Sequence, residues 1–409
     1  MADLLVRRIG RLVSNDADRE GLLGLIEDAA IVVNDSVVSW AGSEADLPND
    51  LPDMPELDCE GRAVVPGFVD AHTHLVFAGD RSIEFGLRME GASYEELLAA
   101  GGGIRATVRM TRAATDDELF DQSRRRAERM LAAGTTTAEV KSGYGLDLAT
   151  EVRMLETVQR LDAALPIDLV PTFLGAHVVP AEYADDRSSY VALVAGDMLD
   201  ACAPLARFCD VFSDDVAFTV EETRTILTAA AERGLAARIH ADQLSRSGGA
   251  ALAAELGAAS ADHLDHATNT DLGALAAAGT SAVLLPAVSL TMRLPYPEGR
   301  TVWDAGLIVA LGTDCNPGSA YVETMPFVIA LAVFEMGLTP DEALWAATRG
   351  SALSLNESEK GRLTAGSEAD LVALDADSHV HIPYRPDTDL AWTVVKGGNI
   401  VSGPGSAGP

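Results

Sequence analysis

The chain is 409 residues long and sets 62 Asp and Glu against 30 Lys and Arg, a net charge of −32. That balance excludes a nucleic-acid-binding or polybasic membrane-surface role, since phosphate-bearing partners would be repelled. At 48% hydrophobic and 22% charged it is not a disordered acidic polymer either, and a prior of ~150 residues per domain gives two or three domains, fewer if one is a barrel of about 250.

The first 62 residues read as short β pieces, such as AIVVNDSVVSW over residues 30–40, broken by Asp, Gly and Pro. From Val64 the pattern changes. Eight short apolar runs follow, each ending in polar or glycine-rich residues: AVVPGFVDAHTH, TTTAEVKSGYG, IDLVPTFLGAH, ARFCDVFSDD, LAARIHAD, AASADHLDH, TSAVLLPAV and LIVALGTDCNPG. Stretches of helical period, such as residues 116–133, separate them. Eight strand-then-helix units predict an α/β fold, a (β/α)8 barrel of the TIM type over residues 63–361. Beyond Arg362 the strand-like pieces ADLVALD, HVHIP and LAWTVVKGGNIV return. Residues 1–62 and 362–402 are therefore expected to combine into a small β-sandwich domain, followed by a flexible tail at 403–409. No apolar run reaches the ~18 to 20 residues of a membrane span and the start lacks a signal-peptide pattern, so the expected location is cytoplasmic.

In such a barrel the chemistry sits at the C-terminal ends of the strands. The first run ends in His72-Thr73-His74, and alternate residues of an extended segment point the same way, so both imidazoles can share one metal ion. His240 ends the fifth run and Asp314 the eighth. Three neutral nitrogens and one carboxylate suit zinc or iron equally, whereas calcium and magnesium would need more oxygens.

An H-x-H after strand one, single histidines after strands five and six and an aspartate after strand eight resemble the amidohydrolase superfamily, and the match covers nearly the whole chain. Binuclear members bridge their metals through a modified lysine after strand four; the corresponding end here is Phe212-Ser213-Asp214-Asp215, and no lysine lies between Lys141 and Lys360, which favours one metal ion per chain. The segments GDRSIEFGLRMEGASYEEL, EVKSGYGLD, FLGAHVVPAEY, HADQLS, ADHLDH and TDCNPGS look like the imidazolonepropionase family in particular. That resemblance implies hydrolysis of 4-imidazolone-5-propanoate to N-formimidoyl-L-glutamate in histidine degradation, and a homodimer.

The implied substrate carries a propanoate tail. Arg81, nine residues after His72, fits as its reader, because a guanidinium holds a carboxylate by two parallel hydrogen bonds. Tyr144 and His177, in the loops after strands two and three, can hydrogen-bond the ring and carbonyl or can be packed polar residues. Resemblance assigns Asn316, Gly318 and Ser319 to substrate and product contacts. His263 ends the sixth run without being needed as a ligand and is expected to polarise the carbonyl or shuttle a proton, with His177 an alternative polariser and His266 a competing neighbour; Asp314 is its acid/base partner. Some relatives have glutamate where Gln243 stands. Glutamine carries no titratable proton, so Gln243 is assigned to binding and orientation. The alternatives are another mononuclear amidohydrolase, such as a cytosine or guanine deaminase, which the glutamine disfavours, and a non-catalytic scaffold, which predicts missing ligands.

Two compositional signals remain. Only Lys141, Lys360 and Lys396 are lysines, so arginine carries nearly all positive charge on a strongly acidic chain, which reads as adaptation to a high-salt cytoplasm. Lys141 stands near the barrel mouth, with a local ion pair as its simplest role. Cys59, Cys202, Cys209 and Cys315 form no C-x-x-C pair and are expected to be reduced and structural.

Overall fold

A computed structural model describes residues 3–91 and 102–404. The C-terminal part of the GDRSIEFGLRMEGASYEEL segment and most of the expected flexible tail lie outside the described residues.

Both ends of the chain build one mixed sheet. Its N-terminal strands are β1 (Leu4–Leu12), β2 (Ile26–Asn34), β3 (Val37–Ser43), β4 (Glu56–Asp58) and β5 (Ala63–Pro66). The C-terminal strands β14 (Leu371–Leu374), β15 (Ala391–Lys396) and β16 (Asn399–Ser402) complete the order β16-β15-β14-β5-β1-β2-β3, with β4 beside β1. Val38 N donates to Ser367 O at 2.9 Å and Gly366 N to Val38 O at 2.9 Å, so the β3 edge meets the segment entering β14. The sheet thus curls over its own apolar core, in which Val6, Ile9, Ile31, Val33, Leu371 and Val395 are packed. The piece HVHIP forms no strand. Pro383 has no N–H for a ladder, and residues His381–Tyr384 make a single helical turn whose Ile382 joins the large core of the barrel.

The barrel strands are β6 (Phe68–Asp70), β7 (Thr135–Lys141), β8 (Asp168–Ala176), β9 (Phe208–Ser213), β10 (Ala236–Ala241), β11 (Ser260–His263), β12 (Ser281–Leu284) and β13 (Val309–Leu311). They run parallel in sequence order. Closure comes from Ala71 N donating to Leu311 O at 3.1 Å and Asp314 N to His72 O at 2.9 Å. Strands β7 and β9 are buried along their whole length, as expected where helices cover one face and packed side chains the other. Helix starts are written into the sequence: Thr115, Thr219, Thr268 and Thr339 each form a reciprocal capping box with the acidic residue three positions on. Each box satisfies two otherwise orphaned backbone donors and fixes where its helix begins; for Thr219 and Thr268, which follow β9 and β11, it also sets the length of the loop at the barrel mouth.

Candidate active site

The His-Thr-His segment is held extended by the residue between the histidines. Thr73 Oγ1 donates to Glu139 O at 2.7 Å, and Thr73 N to Glu139 Oε2 at 3.3 Å, turning Thr73 toward β7 and both imidazoles toward the barrel axis. His72 Nε2 and His74 Nε2 lie 3.4 Å apart, and Asp314 Oδ1 lies 3.4 Å from each. His240 joins them from the end of β10: one nitrogen from each of the three histidines falls within 4.8 Å of the others. All four residues are at most 3% exposed.

His74 Nδ1 and both nitrogens of His240 are buried without a hydrogen-bond partner among the described residues, although His240 Nδ1 lies at ion-pair distance from Asp210. Orphaned imidazole nitrogens are costly unless something accepts their lone pairs. The opposite nitrogens of two of the rings face carboxylates: His72 Nδ1 is 2.6 Å from Asp262 Oδ2 and His240 Nδ1 is 2.9 Å from Asp210 Oδ2. A proton on each Nδ1 leaves Nε2 as a free donor to a metal, the usual carboxylate–histidine support of ligand imidazoles. The donor set therefore fits a metal ion.

Beneath the histidines lies a fully buried ionic layer that the sequence reading did not assemble. Lys141 Nζ is 2.8 Å from both Glu139 Oε1 and Asp210 Oδ2 and 3.5 Å from Asp262 Oδ2, while Arg238 Nη2 is 3.2 Å from Asp262 Oδ2. Burial opposes the Lys141 charge, yet Asp210 and Glu139 outweigh it and hold the ammonium above its ordinary pKa. Burial likewise opposes ionised Asp210 and Asp262, but His240 with Lys141, and Arg238 with Lys141, hold their carboxyls well below the usual range. A signal was available: Glu139, Asp210, Arg238 and Asp262 are charged residues inside otherwise apolar strand runs, where a charge must find a partner.

His263 and Asp314 both have left-handed backbones, at φ 76° and 51°. That region is sparsely populated by non-glycine residues, although His and Asp tolerate it better than most, and it bends each strand end so that the side chain enters the mouth. His263 is 2% exposed, its ring 5.2 Å from that of His240 and 5.5 Å from that of His72. Burial, reinforced by His240, holds its pKa well below the ordinary value, so the ring is neutral near pH 7. His266 is exposed and stands apart from this group.

The donors open into a cavity of about 500 Å³ lined by His74, Asp314, Tyr144, His177, Gln243 and His263, with Arg81, Asn316, Gly318 and Ser319 also on its wall. Every residue expected from the sequence to hold metal, bind substrate or move protons, except the covered His72, thus meets one space, while Lys141 and His266 lie outside it. His177 stacks on His74 with centroids 5.0 Å apart and rings 16° from parallel, and its Nδ1 is 3.0 Å from Gly143 O, which makes Nδ1 the donor and leaves Nε2 free to accept. Burial, then His74 and His240, lower its pKa well below the ordinary value. Asn316 is committed internally: Nδ2 donates to Asp314 Oδ2 at 3.0 Å, and Oδ1 accepts from Gly318 N and Ser319 N at 2.8 Å each. It fixes the far oxygen of Asp314 while Oδ1 faces the histidines. The Asp214 carboxylate, at the end of β9, accepts from Leu244 N at 2.9 Å and Ser245 Oγ at 3.1 Å and so anchors the loop that carries Gln243.

Arg81 is not a free fork. Its Nε donates to Glu84 Oε2 at 3.0 Å and its Nη2 to Glu84 Oε1, leaving Nη1 against Gly318, where a Cβ would collide with the guanidinium. A second cation, Arg88, lines the same wall. Nη1 donates to Gly318 O at 3.3 Å, Nε is buried without a partner, and no carboxylate among the described residues lies within ion-pair reach.

Residues 63–404 match the amidohydrolase family, a metal-dependent family. Imidazolonepropionase from Salinispora arenicola is 51% identical over 402 residues, covering 97% of this chain and 98% of that protein. The imidazolonepropionase of Mycolicibacterium smegmatis is 49% identical over 402 residues, covering 98% of each. In three dimensions the chain is similar to atrazine chlorohydrolase from Arthrobacter aurescens TC1, solved in complex with zinc, with a TM-score of 0.74 at 18% identity over 98% of this chain and 95% of that one, a likeness of fold alone. With the barrel, the mouth-facing histidine group and half of all positions shared along nearly its whole length, the chain belongs to the amidohydrolase family and, within it, to the imidazolonepropionases.

Proposed function

We propose that this pocket hydrolyses 4-imidazolone-5-propanoate to N-formimidoyl-L-glutamate, with one zinc or iron ion held by His72, His74, His240 and Asp314. The observation that carries the reading is the convergence of these four donors, two of their imidazoles backed by carboxylates, on the floor of a cavity with a cationic wall. No lysine stands at the end of β9 to bridge a second ion. The ion supplies Lewis acidity, making water a competent nucleophile near neutral pH and steadying negative charge on the carbonyl oxygen.

In this reading Arg81 Nη1 and Arg88 receive the propanoate, and Tyr144 and His177 hydrogen-bond the ring. Gln243 orients it without exchanging protons. Water adds to the ring carbonyl carbon and the C–N bond breaks. Asp314 accepts the water's proton, and neutral His263, able both to donate and to accept, polarises the carbonyl or passes the proton to the departing ring nitrogen. The new carboxylate is the second acidic group of the product. Ser319 and Asn316 keep the Asp314 loop in place while product leaves.

A deaminase would need a carboxylic acid at position 243 to protonate its leaving nitrogen, and the glutamine there speaks against that reading; a non-catalytic scaffold is opposed by the complete donor set. The acidic, lysine-poor composition supports work in a high-salt cytoplasm, as a homodimer by resemblance. No helix among the described residues is long and apolar enough to cross a membrane. The test is an ultraviolet assay with freshly made 4-imidazolone-5-propanoate beside cytosine and guanine: turnover of the imidazolone alone is expected, and turnover only of a nucleobase overturns the proposal.

A further inference from the structure

The sequence singles out Lys141, and the reaction as derived above leaves it without a task. It is fully buried beneath the histidines and cannot reach the cavity. We propose that Lys141 is a positioning residue for the metal donors: one ammonium ties together the two carboxylates that orient His72 and His240, so that both imidazoles present Nε2 to the same point.

The geometry is that of a hub. Asp210 Oδ2 meets Lys141 Nζ at 2.8 Å and His240 Nδ1 at 2.9 Å, and Asp210 Oδ1 accepts from His240 N at 3.1 Å. Asp262 Oδ2 meets His72 Nδ1 at 2.6 Å and Lys141 Nζ at 3.5 Å. Lys141 also reaches the third strand of the arrangement through its backbone, which donates to Thr73 O at 2.9 Å between the two N-terminal ligands. The side chain thus joins its own strand β7 to β9 and β11 directly, and β10 through the Asp210–His240 contact.

The two arms are not equally supported. Asp262 has a second cation in Arg238, which is itself fixed by Ala71 O at 2.8 Å and Ser354 O at 3.1 Å, and it also accepts from Ser260 Oγ. Among the described residues Lys141 is the only lysine or arginine within ion-pair reach of Asp210. Without Lys141, Asp210 would be a buried carboxylate held only by His240, through its Nδ1 and its backbone N–H, and turning away from the ring would relieve it. That movement re-aims a metal donor. An apolar residue at position 141 would fill the space and leave the ligands uncoordinated in their orientation, which explains why a buried ammonium is placed here.

The proposal rests on the reading of the four donors as a metal site. Zinc affinity of the full-length apo-protein, measured by competition with a chromophoric chelator, tests both. Wild-type protein that binds no zinc overturns that reading and this role with it. With wild-type binding established, Lys141→Met is expected to weaken zinc binding 10- to 100-fold, the usual cost of losing an outer partner of a ligand. Lys360→Met, which breaks a comparable ion cluster far from the mouth, is the control and should lower stability with zinc affinity unchanged. Unaltered affinity in folded Lys141→Met, or an equal loss in both variants, overturns the proposal. Should Lys141→Met fail to fold, the charge-balanced Lys141→Met/Asp210→Asn protein is compared with Asp210→Asn: weaker binding by the pair, through the Asp262–His72 arm, supports the hub, and equal binding overturns it.

Discussion

Arg81 and Arg88 stand seven residues apart, two turns, on the helix Ser82–Met89 and its N-cap, and so share a face. Glu84, on that face too, neutralises Arg81, so the trio presents one net positive charge to a substrate with one carboxylate tail. The arginine that the family resemblance singles out is thus paired with an acid, and Arg88, which the sequence reading passed over, has no paired carboxylate among the described residues. A charge-assisted hydrogen bond contributes about 1.5 to 3 kcal/mol, so Arg81→Met and Arg88→Met should each lower kcat/KM by roughly tenfold to more than a hundredfold, chiefly through KM for Arg88. An imidazolone lacking the propanoate should be turned over equally by wild type and Arg88→Met; an equal loss on both substrates would return Arg88 to a structural role. For His263, replacement by Asn removes a proton carrier but keeps a hydrogen-bonding group of similar reach. Its kcat should fall by ~10² to 10⁴ with metal content intact. Loss of metal together with activity would make His263 a ligand, and near-normal turnover would leave proton transfer to Asp314 with His177.

At the scale of elements, the strand ends were the legible part. An extended H-x-H puts two imidazoles on one side whatever surrounds it, and a barrel sends every strand's C-terminal end to one mouth, so His72, His74, His240 and Asp314 could be named from order alone, whereas choosing His263 over His266 took the family resemblance. The ionic layer below them could not, because which of Glu139, Asp210, Arg238 and Asp262 meets which depends on strand stagger, a property of the closed barrel and not of any one run. HVHIP failed for a local reason, since a proline outweighs its β-branched neighbours. Lys360 and Lys396 were illegible for a similar reason as the ionic layer: they join Asp168, the first residue of β8, to Glu368 and Asp370 at the entry to β14, and so bind the terminal sheet to the barrel across long sequence separations. Asp168 and Glu368 are about 40% exposed, so water softens the loss of one partner. Lys360→Met should cost about 2 to 3 kcal/mol in urea unfolding, below the ~3 to 5 of a fully enclosed pair. No change in the unfolding midpoint would mean that the cluster contributes no stability.

For the whole molecule, the placement of lysine and the excess of acid belong together. Lys141 and Lys360 are 0% and 5% exposed, and the Lys396 side chain is 11% exposed, each within reach of several carboxylates. The exposed cations are therefore arginines, many of them in pairs such as Arg224 with Glu255 and Arg129 with Glu323, and the unpaired remainder of the surface is acidic. An amine-acylating reagent should accordingly leave these three lysines unmodified in native protein and modify them after denaturation. The same arrangement sets the salt response. A net charge of −32 on one compact chain repels itself over a Debye length of ~30 Å at 0.01 M salt, comparable to the molecule, but over only ~3 Å at 1 M, less than the spacing of surface carboxylates. The cluster around Lys141 is shielded from solvent ions by full burial and does not weaken as salt rises, and the half-exposed Lys360 cluster weakens only in part, so screening removes repulsion and leaves the attractions inside the barrel in place. The melting temperature should therefore climb steadily from dilute buffer to molar KCl, with NaCl acting alike and sucrose at equal osmolality giving no comparable gain. Equal melting temperatures at 0.01 M and 1 M KCl would show that the surface acids are spaced widely enough to be harmless, and the high-salt reading would fall.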